Sequence, residues 1–245
     1  MRIVVIGDVM QDIDIHCQIV KHYDQAPVLK ELWEDRRLGG AGNVAEMCRA
    51  LKVETLLLGN DPSRIVKRRL LSDGRLIARH DTEESIYPGF AFTGQQAIQF
   101  QPDAIIVADH GKGFVSNSNW MMETLPKVPI FIDPFHTTPV IVGDHITWIG
   151  SEKEIPPDAS GRRIIKQGSN GLVFLTNGEF DQPINLPSEC VNCVDDIGAG
   201  DQFIVCLAIA RLKGMSWLDA ITRANRAAGQ QCQRPGIQPL QEQEF

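Results

Sequence analysis

Asp195-Asp196-Ile197-Gly198-Ala199-Gly200-Asp201, followed at once by an apolar helical pattern, is the stretch best suited to chemistry. Glycines at a helix start let backbone N–H groups approach a ligand closely. The helix N-terminus adds partial positive charge, so Gly198, Ala199 and Gly200 read as an anion cradle. Asp201 falls in the first turn beside it. A carboxylate there repels a bound phosphate unless it has a chemical task. The task that fits is general base, taking a proton from a hydroxyl that attacks phosphorus. On spacing alone a second reading stays open, in which the acid favours the helix dipole and the glycines merely make a turn.

Weaker patterns accompany it. Cys190-Val191-Asn192-Cys193 has Cys-x-x-Cys spacing. Zinc asks for a second pair or nearby His, and none is at hand in the sequence, so the pair reads as structural. The six His residues form no metal-like pair. Residues 64–79 read as a hairpin turning at Asp73-Gly74 with a basic face. Arg64, Lys67, Arg68 and Arg69 either grip an anionic ligand or form a solvated face. Ile65, Leu70, Leu71, Leu76 and Ile77 give the same hairpin an apolar face that needs cover.

These residues need elements to hold them. Residues 2–6, 55–58, 104–107, 130–132, 145–149 and 172–175 are short apolar runs of the buried-strand type. The last runs into Asn177-Gly178, a hairpin signal. Val44, Met47, Cys48 and Leu51 mark a helix over 42–51. A second helix is expected over 198–213, stopped by Gly214, and Ser216-Trp217-Leu218-Asp219 resembles a capping box opening a third. Trp120, Met121 and Met122 read as packing residues. Strands alternating with helices predict an α/β layered domain with a mainly parallel sheet, whose ligands bind beyond the carboxyl ends of the strands.

Composition bounds the function. The chain has 245 residues, 43% hydrophobic and 22% charged, enough for one cored domain. Its net charge of −7 and 7% aromatic content argue against a nucleic-acid partner. No run approaches the roughly 18 apolar residues of a membrane span, and no signal segment is evident, so no membrane association is expected. Six scattered cysteines, with Cys48 and Cys206 on apolar helix faces, fit reduced thiols in a cytoplasmic protein.

The glycine-rich stretch ending at Asp201 resembles the C-terminal signature of the ribokinase-like (PfkB) carbohydrate kinases. Gly39-Gly40-Ala41-Gly42-Asn43-Val44-Ala45 resembles their N-terminal signature. The likeness extends to the heptose-7-phosphate kinase branch. It runs through Gly7-Asp8-Val9-Met10-Gln11-Asp12, Gln25-Ala26-Pro27-Val28, Val107-Ala108-Asp109-His110-Gly111-Lys112-Gly113, Ile132-Asp133-Pro134 and Ala224-Asn225-Arg226-Ala227-Ala228-Gly229.

The resemblance implies a single three-layer domain over 1–245, with a β lid from about 12–38 and 64–81. It implies ATP-dependent phosphorylation of a sugar phosphate, first of all D-glycero-D-manno-heptose 7-phosphate at O1. A kinase for a ketose or pentose, or a ligand-binding relative without turnover, is the alternative. Asp201 matches the catalytic base, and Gly198, Ala199 and Gly200 match the anion hole. Asp12, Gly39, Gly40 and Asn43 match the sugar-binding set. Asp109 and Lys112 match a stretch beside the active site, where Lys112 would neutralise phosphate charge and His110 either touches substrate or supports the fold. Gly168, Gly171 and Asn225 match the nucleotide side. Glu152 matches an acid that organises Mg2+ through water. Asp195 matches an acid that in some relatives helps bind a monovalent cation such as K+. A homodimer through the lid is implied as well.

The sequence departs from the family at Ile149, where Asn is expected, at Lys166, where Thr is expected, and at Phe135, where Lys is expected. It is also shortened after Asn60, where Asp61-Pro62-Ser63 leads almost directly into the basic hairpin. The three substitutions fall on the nucleotide and magnesium side and leave the base and anion hole in place.

Overall fold

The computed structural model describes residues 1–84, 94–115, 125, 127–176 and 182–244. The hairpin expected at Asn177-Gly178 and the packing expected of Trp120, Met121 and Met122 lie outside them.

Strand β1 (Arg2–Gly7) is apolar because both its faces are covered. Ile3 and Val5 enter one core, Val4 and Ile6 the other. Such continuous apolar runs belong to strands buried on both faces. Parallel neighbours β4 (Glu54–Gly59) and β7 (Ala104–Ala108) flank it. The parallel run continues through β8 (Ile130–Asp133), β9 (Ile146–Gly150) and β10 (Arg162–Lys166). Antiparallel β11 (Leu172–Leu175) and β12 (Ile184–Leu186) close that edge, giving the order β12-β11-β10-β9-β8-β7-β1-β4. On one face pack α1 (Ala41–Ala50), α3 (Ala199–Leu212) and α4 (Trp217–Cys232). Ala97 of α2 (Gly94–Phe100), Phe114, Val115 and Ile155 lie on the other. This is the layered α/β arrangement with a mainly parallel sheet that the sequence pattern predicts.

Each helix follows from its sequence. Val44, Met47 and Cys48 bury one stripe of α1, and α3 is buried from Gln202 to Ala210. Ser216 caps α4, its hydroxyl accepting from the Asp219 N–H at 3.2 Å. Cys48 and Cys206 are buried as expected, and all six cysteines are free thiols.

A second sheet, ordered β3-β2-β5-β6, stands at the carboxyl end of the first. Its β5 (Ile65–Ser72) and β6 (Arg75–Glu83) are the expected basic hairpin. Asp73 and Gly74 turn it with φ of 50° and 73°, the two positive values a tight hairpin turn asks for. The longer hairpin of β2 (Val9–Tyr23) and β3 (Ala26–Gly40) has a mostly exposed, polar distal half that hid it from periodicity. Asn60 anchors the sheet: its side-chain oxygen accepts from the Val9 N–H at 2.8 Å and its amide donates to the Val9 carbonyl at 2.7 Å. The chain thus passes from β4 through one short turn, residues 62–64, into β5, as the shortened sequence requires.

Among the described residues, no helix is long and apolar enough to cross a membrane.

Candidate active site

The parallel strands deliver their last residues to one side. Asp8 follows β1, Asp109 follows β7, Asp133 ends β8 and Lys166 ends β10. Asp8 is fully buried, and its carboxylate organises the next loop by accepting from the N–H groups of His110 (2.9 Å), Lys112 (3.0 Å) and Phe114 (2.9 Å). Asp109 accepts from the Gly111 N–H at 2.8 Å and from the Thr138 hydroxyl at 2.6 Å. Burial pushes its carboxyl up, with those donors opposing.

Helix α3 enters this floor at Gly198, whose φ of 79° suits glycine. Asp201 lies in the first turn, and its Oδ2 accepts from the Asn43 side-chain amide at 2.6 Å. Burial drives the Asp201 carboxyl above the ordinary range. His110, Asn43 and Lys166 pull it back, while Asp133 pushes with the burial. Lys166 pairs with Asp133 at 2.8 Å. Burial works against its ammonium, yet Asp133, Glu154 and Asp201 together hold its pKa above the ordinary lysine value. A Cβ on Gly200 would sit 3.4 Å from Lys166 Nζ, so the missing side chain leaves room for the ammonium beside the cradle.

Across from Asp201 lies the foot of the second sheet. Asp12 is buried on β2, and its Oδ1 has no hydrogen-bond partner, only Arg69 at 3.7 Å. A Cβ on Gly39 would meet Asp12 Oδ2 at 2.6 Å, and one on Gly40 would meet His110 Cδ2 at 3.1 Å. These glycines therefore let two strands and a loop converge on Asp12, Asn43 and Asp201.

On the far side of the cradle a cleft of about 640 Å³ is lined by Lys166, Gly168, Gly171, Gly200, Phe203, Asn225 and Gly229, among others. Gly168 and Gly171 bracket a short turn between β10 and β11, and Asn225 donates to the Pro187 carbonyl at 2.7 Å.

The remaining matched residues have partners and surroundings of their own. Lys112 pairs with Glu83 of β6 at 2.6 Å, tying the loop to the second sheet. Glu152 is exposed, and Ile149 is buried in the core. It is Glu154, two residues on, that interacts with Lys166. Asp195 spends one oxygen on the Ile197 N–H and the other on the Gly236 N–H, each at 3.0 Å. Phe135 packs on Gly111. Of the basic hairpin, Arg69 bridges to Asp14 at 3.0 Å and Arg68 donates to the Thr82 hydroxyl at 3.3 Å. Burial holds Lys67 below the ordinary lysine value, with Asp12 opposing.

Along the chain, Cys190 and Cys193 have no further ligand near them. The fold corrects this by bringing Cys232, at the end of α4, beside them. A gap of about 40 residues left no local signal for that.

Residues 154–244 match the model of the pfkB family carbohydrate kinases. The bifunctional protein HldE of Nitrosococcus oceani is 28% identical over 283 positions, and that of Ectopseudomonas mendocina 26% over 286. Both alignments take in 93% of this chain and 59% of the relative, so the chain spans less than two thirds of these curated relatives. The alignments are longer than the 245-residue chain, so they open gaps in it, as a shortened form must. Among solved structures, a ribokinase from Thermotoga maritima superposes with a TM-score of 0.70 at 15% identity, covering 99% of this chain and 97% of that one. The phosphofructokinase-2 of Escherichia coli, in complex with potassium, gives 0.71 at 11%, covering 100% and 96%. A ribokinase from Arabidopsis thaliana, complexed with ribose and ATP, gives 0.63 at 17%, covering 96% and 93%. The fold is thus that of the ribokinases, and the C-terminal part of the chain, residues 154–244, carries the match to the pfkB family carbohydrate kinases.

Proposed function

We propose that the chain transfers the γ-phosphoryl group of ATP to a hydroxyl of a sugar phosphate. By the family likeness the acceptor is D-glycero-D-manno-heptose 7-phosphate, phosphorylated at O1. The observation that carries the reading is Asp201: a carboxylate in the first turn of α3, held by Asn43 at 2.6 Å, next in sequence to Ala199 and Gly200 of the cleft wall. In this reading Asp12, Gly39, Gly40 and Asn43 hold the acceptor sugar. Asn43 also orients Asp201, which takes the proton from the attacking hydroxyl. The N–H groups of Gly198, Ala199 and Gly200 receive the charge that develops on the transferring group. The cleft lined by Gly168, Gly171 and Asn225 takes the adenosine end of the nucleotide.

Magnesium asks for a set of oxygen ligands. The buried Ile149 offers no oxygen side chain, whereas the exposed Glu152 is a carboxylate that would hold Mg2+ through water. Lys166 and the cradle amides would neutralise phosphate charge alongside Mg2+.

General-base assistance is worth roughly 10²- to 10⁴-fold. Asp201→Asn is accordingly expected to lower kcat by at least about 10²-fold while leaving sugar-phosphate affinity and melting temperature near wild type. Wild-type turnover in that variant would overturn the reading. ATP consumption over a panel of sugars with and without a phosphate identifies the acceptor. A requirement for the phosphate favours the heptose-phosphate assignment over a ketose or pentose.

One observation favours a second reading, a ligand-binding protein without turnover: the Lys166–Asp133 pair stands beside the cradle. Calorimetry separates the two. Sugar-phosphate binding with no ATP binding at millimolar concentration selects the second.

A further inference from the structure

The three cysteines on the wall of the cleft form a cluster that the phosphoryl-transfer reading does not use. Cys190 and Cys193 lie in the segment leading from β12 to Gly198, and Cys232 is the last residue of α4. Backbone bonds hold the two segments together, for the N–H groups of Val194 and Asp195 donate to the Cys232 carbonyl at 2.7 and 3.1 Å. With that register held, the three Sγ atoms all lie within 4.8 Å of one another. Zinc–thiolate bonds of about 2.3 Å in tetrahedral geometry place sulfurs about 3.8 Å apart. A cation at the centre therefore needs the sulfurs to close in by about 1 Å or less, a movement within reach of small side-chain rotations. Among the described residues this is the one group of three or more His, Cys, Asp or Glu side chains with such spacing. No disulfide uses the thiols up.

Access and chemistry agree. Cys193 is exposed and the other two are half-buried, and all three line the cleft of about 640 Å³, so an ion reaches them from solvent. A set of three sulfurs selects soft or borderline cations such as zinc over magnesium or calcium.

We propose that Cys190, Cys193 and Cys232 bind one thiophilic divalent cation of the zinc class. Each thiol gives its proton to solvent as its sulfur bonds the metal. The fourth coordination position opens on the cleft and is filled by water or by a group bound there, the pattern of sites that keep an exchangeable ligand. The bound ion would tie the end of α4 to the segment that feeds the anion cradle. The site rests on thiol geometry alone, so its failure leaves the kinase reading untouched.

The test uses the whole chain, reduced and metal-free under anaerobic conditions, titrated with Co2+. Thiolate-to-cobalt charge-transfer absorption is expected to saturate at one equivalent and to disappear when Zn2+ is added. Competition with a chromophoric chelator then gives the Zn2+ affinity. That affinity is expected to fall at least tenfold in Cys193→Ser, an exposed position where folding is not at stake, and also in Cys232→Ser. Circular dichroism of the metal-free variants checks their fold. Absence of the charge-transfer band in the reduced wild-type chain overturns the proposal. So does a band of unchanged intensity and affinity in the folded Cys193→Ser variant.

Discussion

Two carboxylates show how far environment sets the task of a residue. Asp8 gives its oxygens to three backbone N–H groups and so builds the loop that carries Asp109 and Lys112. Removing a buried acceptor leaves its donors without partners, at about 1–3 kcal/mol each. Asp8→Ala is therefore expected to destabilise the fold by about 3 kcal/mol or more, measured by chemical denaturation. Asp201 differs, because burial raises its pKa from the ordinary 3.8, which suits the base that we propose it to be. A base must be ionised to act, so the acid limb of kcat/KM is expected above the ordinary carboxylate range. Lys166 pulls that pKa down. Lys166→Met should thus move the limb to higher pH as well as weaken ATP binding, both read from pH profiles; a limb that stays put refutes the coupling. The linkage for stability has the opposite sense. The folded state holds the Asp201 proton more tightly, so this group's contribution falls as pH rises from 3.8 through its raised value.

At the scale of elements, the decisive junction is where β2 and β3 meet α1. Met10 pairs with Gly39 and Val9 with Gly40, so the N-terminal glycine motif ends a strand and opens a helix within two residues. A side chain at 39 would push on Asp12. Gly39→Ala is expected to weaken sugar-phosphate binding at least tenfold with little change in ATP affinity, as calorimetry with each ligand would show. Much of this scale was legible: β1, β4, β7, β8, β9 and β11 are apolar runs, and α1 and α3 carry their stripes in plain view. Strand β10 escaped notice because Arg162, Arg163 and Lys166 mask the buried Ile164. The hairpin of β2 and β3 follows only from the family resemblance, as the lid over about 12–38, because a ribbon wet on both faces shows no alternation.

For the whole molecule, the two sheets divide the labour. The large one carries the core and ends in Asp133 and Lys166; the small one carries Asp12 and the basic hairpin. Leu32, Trp33, Ile19, Val20 and Leu76 are exposed on the small sheet, and Trp33 stacks on His16 with ring centroids 3.5 Å apart. Such residues would be covered in the homodimer that we propose through the lid. Light scattering should give a dimer mass for the wild type and a monomer mass for Trp33→Glu; a monomeric wild type removes the lid as an interface.

The amino-acid sequence by itself determined the chemistry that is local. Glycines before a helix, an acid in its first turn and apolar runs of strand length are facts of spacing along the chain, and physics within a few residues suffices to read them. What joins distant residues was decided by the tertiary structure. The bond between Asn43 and Asp201 spans 158 positions, the Lys166–Asp133 pair 33, and the Cys190, Cys193 and Cys232 cluster some 40. Such contacts depend on the order of strands in the sheet and on which face each crossover takes. Neither leaves a period in the sequence, because strand order is settled by how whole layers bury their surfaces together.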